Sequence, residues 1–417
     1  MKRDFLQLAP RPYVSDRSSG YFIRLIEIIG RHHEPTKTQL ESLESSYRST
    51  GEFLTGCDEF DGLLNQIHPH GSRELGTMTR PREDSRDGFD IDLIARLDRN
   101  ALRRYEGPSG PSRLQEYLFL ALQRYAKMHG LGIKRWERCV TLEYANGMTA
   151  DIAPVIDDPL LAVPFGDTHG RVPDRELRAY HATNPLGYAA YFNNVALISP
   201  IFSFQESVVK GLDSAKRADI SPLSDADQVF DRMLCRLVQL IKLHRNVAFG
   251  VSKDKLDIAP SSIFISTLVA EAYAQESLKV HSSPLSLLLD VVETMPNYFS
   301  SGHGRYRDEW HLPNPSAPKD YLASSMNSPE RQQAFLMWHQ KLLTDLQQLL
   351  DAIESHSGSD EILSMVESVF GKRATNGIRQ DQLEQQQRRR AAKTAAIIAP
   401  NTAPRMVTSR THTFFGG

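Results

Sequence analysis

The stretch that decides the fold is residues 71–97, which read G-S-R-E-L-G-T-M-T-R-P-R-E-D-S-R-D-G-F-D-I-D-L-I-A-R-L. The apolar residues around Asp90 and Asp92 predict a short strand over residues 89–94. Side chains alternate along a strand, so both carboxylates leave one face while Ile91 leaves the other. Two anions on one side of an apolar strand are costly without a cation between them. Carboxylate oxygens favour Mg²⁺, with Mn²⁺ as the alternative, and Mg²⁺ in such sites also holds substrate phosphates.

Two further features complete this hypothesis. Asp151 lies in a second apolar run, residues 149–156, where a single acid also needs a partner. Gly71 and Ser72 form a small-residue turn whose backbone N–H groups and hydroxyl can bind triphosphate oxygens. Each feature alone has an ordinary structural explanation, such as a solvated strand end or a simple turn. Together they predict a two-metal centre for phosphoryl transfer, with Asp90, Asp92 and Asp151 as catalytic residues and metal ligands.

Size and composition agree with a large globular enzyme. The chain has 417 residues, enough for two lobes, and a formal net charge of −2, which does not indicate a globally basic nucleic-acid binder. Its three cysteines are far apart and form no C-x-x-C pair, which argues against a zinc ribbon or a disulfide scaffold. No run of about 18 apolar residues is present, so we expect a cytoplasmic protein without a membrane partner.

The remaining pattern divides the chain into three parts. Alternation predicts strands over residues 63–67, 133–144 and 148–156, the last two joined as a hairpin by Asn146-Gly147. From about residue 225 onward, helical stripes dominate. We therefore predict an α+β fold with a catalytic lobe at residues 1–220, including N-terminal helices, and a helical lobe at 221–371. Residues 372–417, with a Gln/Arg run and little apolar periodicity, predict a flexible tail.

The order Gly71-Ser-Arg-Glu-Leu-Gly-Thr77, Asp90-Ile-Asp92 and then Asp151 resembles the DNA polymerase β-like nucleotidyltransferases. More narrowly, the chain resembles the CD-NTases, bacterial relatives of cyclic GMP–AMP synthase and oligoadenylate synthase that make cyclic oligonucleotide signals in CBASS anti-phage defence. Residues 240–245, 260–265 and 311–318 add to this resemblance. Tyr321 and Leu322 depart from the Asn-(Leu/Val) expected there.

The resemblance implies a bilobed cage with a mixed-sheet catalytic lobe, a helical lobe and the nucleotide site between them. It implies that ATP and/or GTP are joined into a cyclic di- or trinucleotide, which alone reaches a downstream effector. Lys242 lies on a helix where these enzymes carry a basic residue facing the triphosphate, and Ser261 is a further candidate for nucleotide binding. Ser261 and Ser262 also have the sequence of a helix N-cap.

The chain ends in Gly416-Gly417 after a basic linker. Glycine is permissive, and an extended terminus without side chains can enter a narrow adenylating site. CD-NTases of one CBASS type are conjugated through a C-terminal glycine by enzymes resembling ubiquitin-activating and ubiquitin-conjugating enzymes. Gly417 is therefore a predicted conjugation site.

Two alternatives remain open from the sequence. A template-independent RNA or terminal nucleotidyltransferase would use the same carboxylates but would need an acceptor strand. A non-catalytic module that senses a nucleotide or RNA would use the same cage without turnover.

Overall fold

The computed structural model describes residues 16–80, 88–203, 233–250, 258–302, 308–355 and 357–396. Its first helices are α1 (Asp16–His33) and α2 (Lys37–Thr55), separated at Pro35 as the sequence indicates. Thr36 begins α2 with a capping box, in which its hydroxyl accepts from the Gln39 backbone N–H. The main sheet begins after these helices.

The elements of the sheet and its covering helices follow in chain order. They are β1 (Leu64–His70), α3 (Gly71–Glu74), β2 (Asp90–Leu97), α4 (Ala101–Arg104), α5 (Gly110–His129), β3 (Gly132–Arg135), β4 (Val140–Glu143), β5 (Thr149–Asp157), β6 (Gly170–Asp174), β7 (Ala179–Thr183), α6 (Pro185–Ala196) and β8 (Ile201–Phe202). The predicted strand over residues 133–144 is wrong as one element. A turn closed by the Trp136 N–H bond to the Cys139 carbonyl divides it into β3 and β4.

Helices dominate the rest of the described chain. Its elements are α7 (Met233–Phe249), α8 (Ser262–Glu276), β9 (Val280–His281), α9 (Pro284–Thr294), β10 (Ser300–Ser301), β11 (Trp310–His311), β12 (Pro313–Asn314), β13 (Ala317–Tyr321), α10 (Pro329–Glu354), α11 (Ser359–Phe370) and α12 (Lys372–Ala396). Short 3₁₀ turns lie at Asp58–Phe60, Gly166–Thr168, Met295–Tyr298 and Ser324–Met326.

The main sheet has seven strands and is mixed. Its order is β1-β2-β5-β4-β3, and the β6–β7 hairpin continues from the end of β5. Strands β2 and β5 run parallel, whereas the other pairs are antiparallel. The predicted hairpin through Asn146-Gly147 is present as β4–β5, with Glu143 opposite Thr149.

Two buried apolar clusters organise the molecule. The sheet cluster packs α2 and α5 on one face of β2, β4 and β5, through residues such as Ile91, Leu93 and Ile152. The helical cluster joins α1 and α6 to the later helices, with Phe22 and Phe192 among its buried members. The expected α+β, bilobed arrangement is confirmed, although α1 and α6 pack with the helical lobe instead of the sheet. Residue 220 lies outside the described residues, so that boundary stays a prediction.

The prediction of a flexible tail from residue 372 is wrong for the first 25 residues. Lys372–Ala396 form helix α12, which packs on α1 and α11. Ala374 and Ile378 are buried there, and Arg24 of α1 forms an ion pair with Asp381. Residues 397–417, with Gly417, lie outside the described residues.

Candidate active site

Sheet pairing brings the three predicted acids together. Asp92 on β2 lies opposite Asp151 on the parallel strand β5, and Asp90 lies opposite Thr149. One carboxylate oxygen from each acid lies within 4.8 Å of the others. Strand alternation therefore puts Asp90 and Asp92 on one face, and the register adds Asp151 beside them.

Neighbouring hydroxyl groups fix the orientation of these carboxylates. Thr149 Oγ1 donates to Asp90 Oδ1 at 2.8 Å. Thr141, directly opposite Asp151 on β4, donates from its hydroxyl to Asp151 Oδ1. The Cys139 side chain is a further hydrogen-bonding neighbour of Asp151.

The electrostatics of the cluster favour a bound cation. Burial and the neighbouring Asp90 raise the pKa of Asp92 to about 6, against the opposing effect of Lys242. Burial also raises the pKa of Asp90 and of Asp151, and another carboxylate of the trio adds to each shift. The cluster therefore concentrates negative charge that a divalent ion would neutralise. Three closely spaced carboxylates are a donor set that fits Mg²⁺ or Mn²⁺.

The turn before the carboxylates has a backbone that only glycine accepts easily. Gly71 begins α3 with a φ of +59°, and a Cβ at this position would lie 2.0 Å from Asp92 Oδ2. The tight approach places the Gly71 backbone directly against the Asp92 carboxylate. This position matches the phosphate-binding role predicted for Gly71 and Ser72.

A cavity of about 510 Å³ connects the carboxylates with the helical lobe. Its sheet side includes Phe89, Asp90 and Asp92, and its turn side includes Gly71, Ser72 and the segment Thr77–Arg80. Helices α7 and α8 supply the opposite wall, with Lys242, Arg245, Asn246, Ser262, Ile263 and Ser266. Space for a ligand therefore lies between the two buried clusters.

Lys242 is buried beside this cavity. Its Nζ donates to the Thr77 carbonyl at 3.1 Å, and its side chain is only 4% exposed. Burial lowers its pKa to about 7, and Arg245 contributes in the same direction. The structure thus brings Lys242 to the turn and carboxylates, which amphipathic periodicity alone could not indicate.

Ser261 does not join these residues. It precedes α8 without a side-chain capping bond, and its hydroxyl accepts from Ser325 Oγ at 3.1 Å. The neighbouring Ser262 lines the cavity instead, because the first turn of α8 rotates it inward. Ser261 is not among the residues that line the cavity, and its role in nucleotide binding stays a prediction.

Sequence reasoning missed most of the helical wall. Arg245 and Asn246 gave no signal of their own, although they follow Lys242 by three and four residues and so share its side of a helix. His244, by contrast, is structural: its Nδ1 accepts from Trp338 Nε1, and its Nε2 lies 2.9 Å from Asp345 Oδ2.

Comparison with known proteins finds a family model that matches part of the chain and a curated relative that matches most of it. Residues 27–195 match the Second Messenger Oligonucleotide or Dinucleotide Synthetase domain. The c-di-GMP synthase of Roseivirga ehrenbergii is 24% identical over 346 residues, with 81% of each chain covered.

Solved structures share the fold across most of their length. The GTP complex of CdnG, a CD-NTase from Bradyrhizobium diazoefficiens, has a TM-score of 0.58 at 18% identity, covering 86% of this chain and 98% of that one. CdnC of E. coli with ATP has a TM-score of 0.54 at 15% identity, covering 87% and 99%. In its matched domain and its fold, the chain resembles the CD-NTases, which are nucleotidyltransferases.

Proposed function

We propose that this enzyme joins two nucleoside triphosphates, GTP among them, into a cyclic dinucleotide that signals in CBASS anti-phage defence. The observation that carries the proposal is the cluster of Asp90, Asp92 and Asp151, of which Asp90 and Asp92 line the cavity. The names of the relatives support the product class, since one is a c-di-GMP synthase and another is a CD-NTase solved with GTP. ATP remains a second candidate substrate because CdnC was solved with ATP.

Each residue has a distinct part in this reaction. Asp90 and Asp92 would hold two divalent cations, Mg²⁺ or Mn²⁺, and Asp151 would complete the ligand set. Such ions, when bound, supply Lewis acidity toward the attacking hydroxyl and the departing pyrophosphate. Asp151, oriented by Thr141, would accept the proton of the attacking ribose hydroxyl.

The turn and the helical wall would bind the donor nucleotide. Gly71 and Ser72 offer backbone N–H groups and a hydroxyl to the triphosphate, next to the metal ligands. Lys242 lies within reach of the same turn, through its contact with the Thr77 carbonyl. Positioning and charge stabilisation of this kind account for most of the catalysis in phosphoryl transfer.

Product analysis tests the proposal. The full-length protein is incubated with ATP, GTP and Mg²⁺, and phosphatase-resistant products are identified by mass spectrometry. We expect a cyclic dinucleotide containing guanosine, and none from the Asp90→Asn/Asp92→Asn double variant. Linear oligonucleotides as the sole products, or turnover that persists in the double variant, would contradict the proposal.

We also propose that Gly417 is joined to a target by partner enzymes resembling ubiquitin-activating and ubiquitin-conjugating enzymes. The support is the resemblance to CD-NTases and the terminal Gly416-Gly417. Adducts formed with the partner enzymes should disappear in Gly417→Glu, while cyclic dinucleotide synthesis continues. Adducts of unchanged yield in Gly417→Glu would exclude this role.

Within the described part of the chain, no helix combines the length and apolar character needed to cross a bilayer.

A further inference from the structure

The guanidinium of Arg245 joins the end of α7 to the beginning of α8. Its Nη1 donates to the Pro260 carbonyl at 3.0 Å and to Ser262 Oγ at 3.1 Å. Its Nε and Nη2 donate to Asn246 Oδ1 at 3.0 and 2.7 Å. Arg245, Asn246 and Ser262 all line the cavity. One side chain thus organises this corner of the helical wall.

These contacts fix the orientation of the Asn246 carboxamide. A guanidinium has donors but no acceptor, so the carboxamide atom that faces it must be the oxygen. The amide nitrogen Nδ2 therefore points away from Arg245, and the described residues supply no acceptor for it. Asn246 consequently retains two N–H donors at the cavity wall.

Asn246 lies close along α7 to Lys242, the proposed phosphate-binding lysine. Asn246 follows Lys242 by four residues on α7, so the two share one helix face and are separated by one turn. Both line the cavity. A nucleotide held by the turn at Gly71 and by Lys242 would extend toward this carboxamide.

We propose that Asn246 donates through Nδ2 to an acceptor atom of the bound nucleoside triphosphate, and that Arg245 is the positioning residue that holds the carboxamide in this orientation. The inference rests on the proposed function, because it takes a nucleoside triphosphate as the ligand. The acceptor is a phosphate oxygen or an acceptor atom on the edge of the base. The hydrogen bonds from Arg245 already restrict rotation of the Asn246 side chain. Less conformational entropy is therefore lost when Asn246 binds the nucleotide.

The variant Asn246→Asp tests the donor directly. Aspartate has the same shape and still accepts from Arg245, but it presents a carboxylate oxygen where Nδ2 donated. Isothermal titration of the full-length protein with Mg²⁺ and ATP or GTP should show at least tenfold weaker binding of one or both nucleotides. The unfolding temperature should stay close to that of the wild type, and KM should change more than kcat. Asn376→Asp, at an exposed position on α12, makes the same charge change and should leave binding unaltered.

Titrations with different ligands identify the acceptor atom that Asn246 contacts. Inorganic tripolyphosphate with Mg²⁺ should bind more weakly to Asn246→Asp if the contact is a phosphate oxygen. A loss confined to ATP or to GTP would place the contact on the base. Unchanged affinity for both nucleotides would overturn the proposal, as would a wild-type protein that binds neither of them. If Asn246→Asp does not fold, Asn246→Ala provides the same comparison.

Arg245→Lys tests the positioning role. Lysine keeps the positive charge but lacks the planar fork that holds Oδ1. Arg245→Lys should lose affinity for the same ligands as Asn246→Asp does. The Arg245→Lys/Asn246→Asp double variant should bind no more weakly than Asn246→Asp alone. Additive losses would overturn the positioning role. Nucleotide binding without a cyclic product would overturn the proposed function alone, because these titrations do not depend on turnover.

Discussion

At the scale of single residues, Asp92 illustrates the cost of placing carboxylates close together. Its pKa is raised to about 6 by burial and by Asp90, so the ionised carboxylate is less favourable in the folded chain than in the unfolded chain. This destabilisation is present above pH 6 and is relieved as the pH falls toward the ordinary value of 3.8. Binding of the proposed metal ion would relieve the same repulsion at neutral pH.

We expect Asp92→Asn to stabilise the metal-free protein at pH 7.5 by about 1–2 kcal/mol, because the variant removes a partly buried charge beside Asp90. Lys242 loses a favourable neighbour, which offsets part of the gain. Urea unfolding in EDTA measures the effect, and the difference from wild type should shrink at pH 5, where Asp92 is already protonated. The exposed Asp61→Asn is the control. A variant less stable than wild type at pH 7.5 would refute this account.

Lys242 should couple nucleotide binding to proton uptake. Its pKa of about 7 leaves the amine mostly neutral at pH 8, whereas a bound triphosphate favours the ammonium form. Binding at pH 8 should therefore take up as much as one proton, and at pH 6 this contribution should vanish. Titration calorimetry in buffers of different ionisation enthalpy measures the uptake.

The variant Lys242→Gln provides the decisive comparison for this coupling. It should lose the proton uptake at pH 8 and bind the nucleotide more weakly. Lys127→Gln, exposed on α5, should behave like the wild type. Equal proton uptake by Lys242→Gln and the wild type would assign the titration to another group.

At the scale of elements, the turn around α3 contains two glycines with similar backbone conformations and different surroundings. Gly71 and Gly76 have φ angles of +59° and +64°, so alanine costs each about 1 kcal/mol of backbone strain. A Cβ at Gly71 would clash with Asp92 Oδ2, whereas at Gly76 the nearest atom is Cys235 Sγ at 3.8 Å. Gly71→Ala should therefore lower kcat/KM by roughly a hundredfold or more, because it displaces Asp92, a proposed metal ligand.

Gly76→Ala should cost a similar amount of backbone strain but retain most activity. Comparing kcat/KM with the unfolding free energy of both variants separates site distortion from general destabilisation. Equal activity losses in the two variants would contradict a specific role for the Gly71 approach to Asp92.

The shared face of Asp90 and Asp92 could be predicted from the sequence because strand alternation is a local property. Asp90 and Asp92 share a face whichever strands pair with β2. The position of Asp151 opposite Asp92 depends on the parallel β2–β5 register, which is a tertiary property. The helical wall of the cavity was harder to predict from the sequence, because cavity-facing polar residues such as Asn246 have no periodic signature.

Helix α12 shows why the tail prediction failed. Its sequence has little apolar periodicity, and its buried contacts come from a narrow stripe that includes Ala374 and Ile378. At Gly377 the helix lies so close to α1 that a Cβ would come within 2.6 Å of the His32 ring. Close backbone packing and the Arg24–Asp381 ion pair replace the broad apolar face that a sequence pattern detects.

At the scale of the whole molecule, the cavity is lined by residues from the elements of two separate buried clusters. Asp90 and Asp92 extend from the sheet, whereas Lys242 and Ser262 extend from helices of the other cluster. The segment Thr77–Arg80 lies between them and is held by both Lys242 and Gln239, whose Nε2 donates to the Met78 carbonyl at 3.2 Å. A nucleotide with its metal would therefore contact both lobes, whereas the metal alone would contact one.

This geometry predicts two different patterns of amide hydrogen exchange. Mg²⁺ alone should slow exchange near β2 and β5, because its proposed ligands all come from the sheet. Mg²⁺ with a non-hydrolysable nucleotide should also slow exchange in Thr77–Arg80 and in the first turn of α8, because the nucleotide would bridge the lobes. The Asp90→Asn/Asp92→Asn variant should lose the first pattern and weaken the second, and α5 should be unaffected. Nucleotide protection confined to the sheet would show that the helical wall does not contact the ligand.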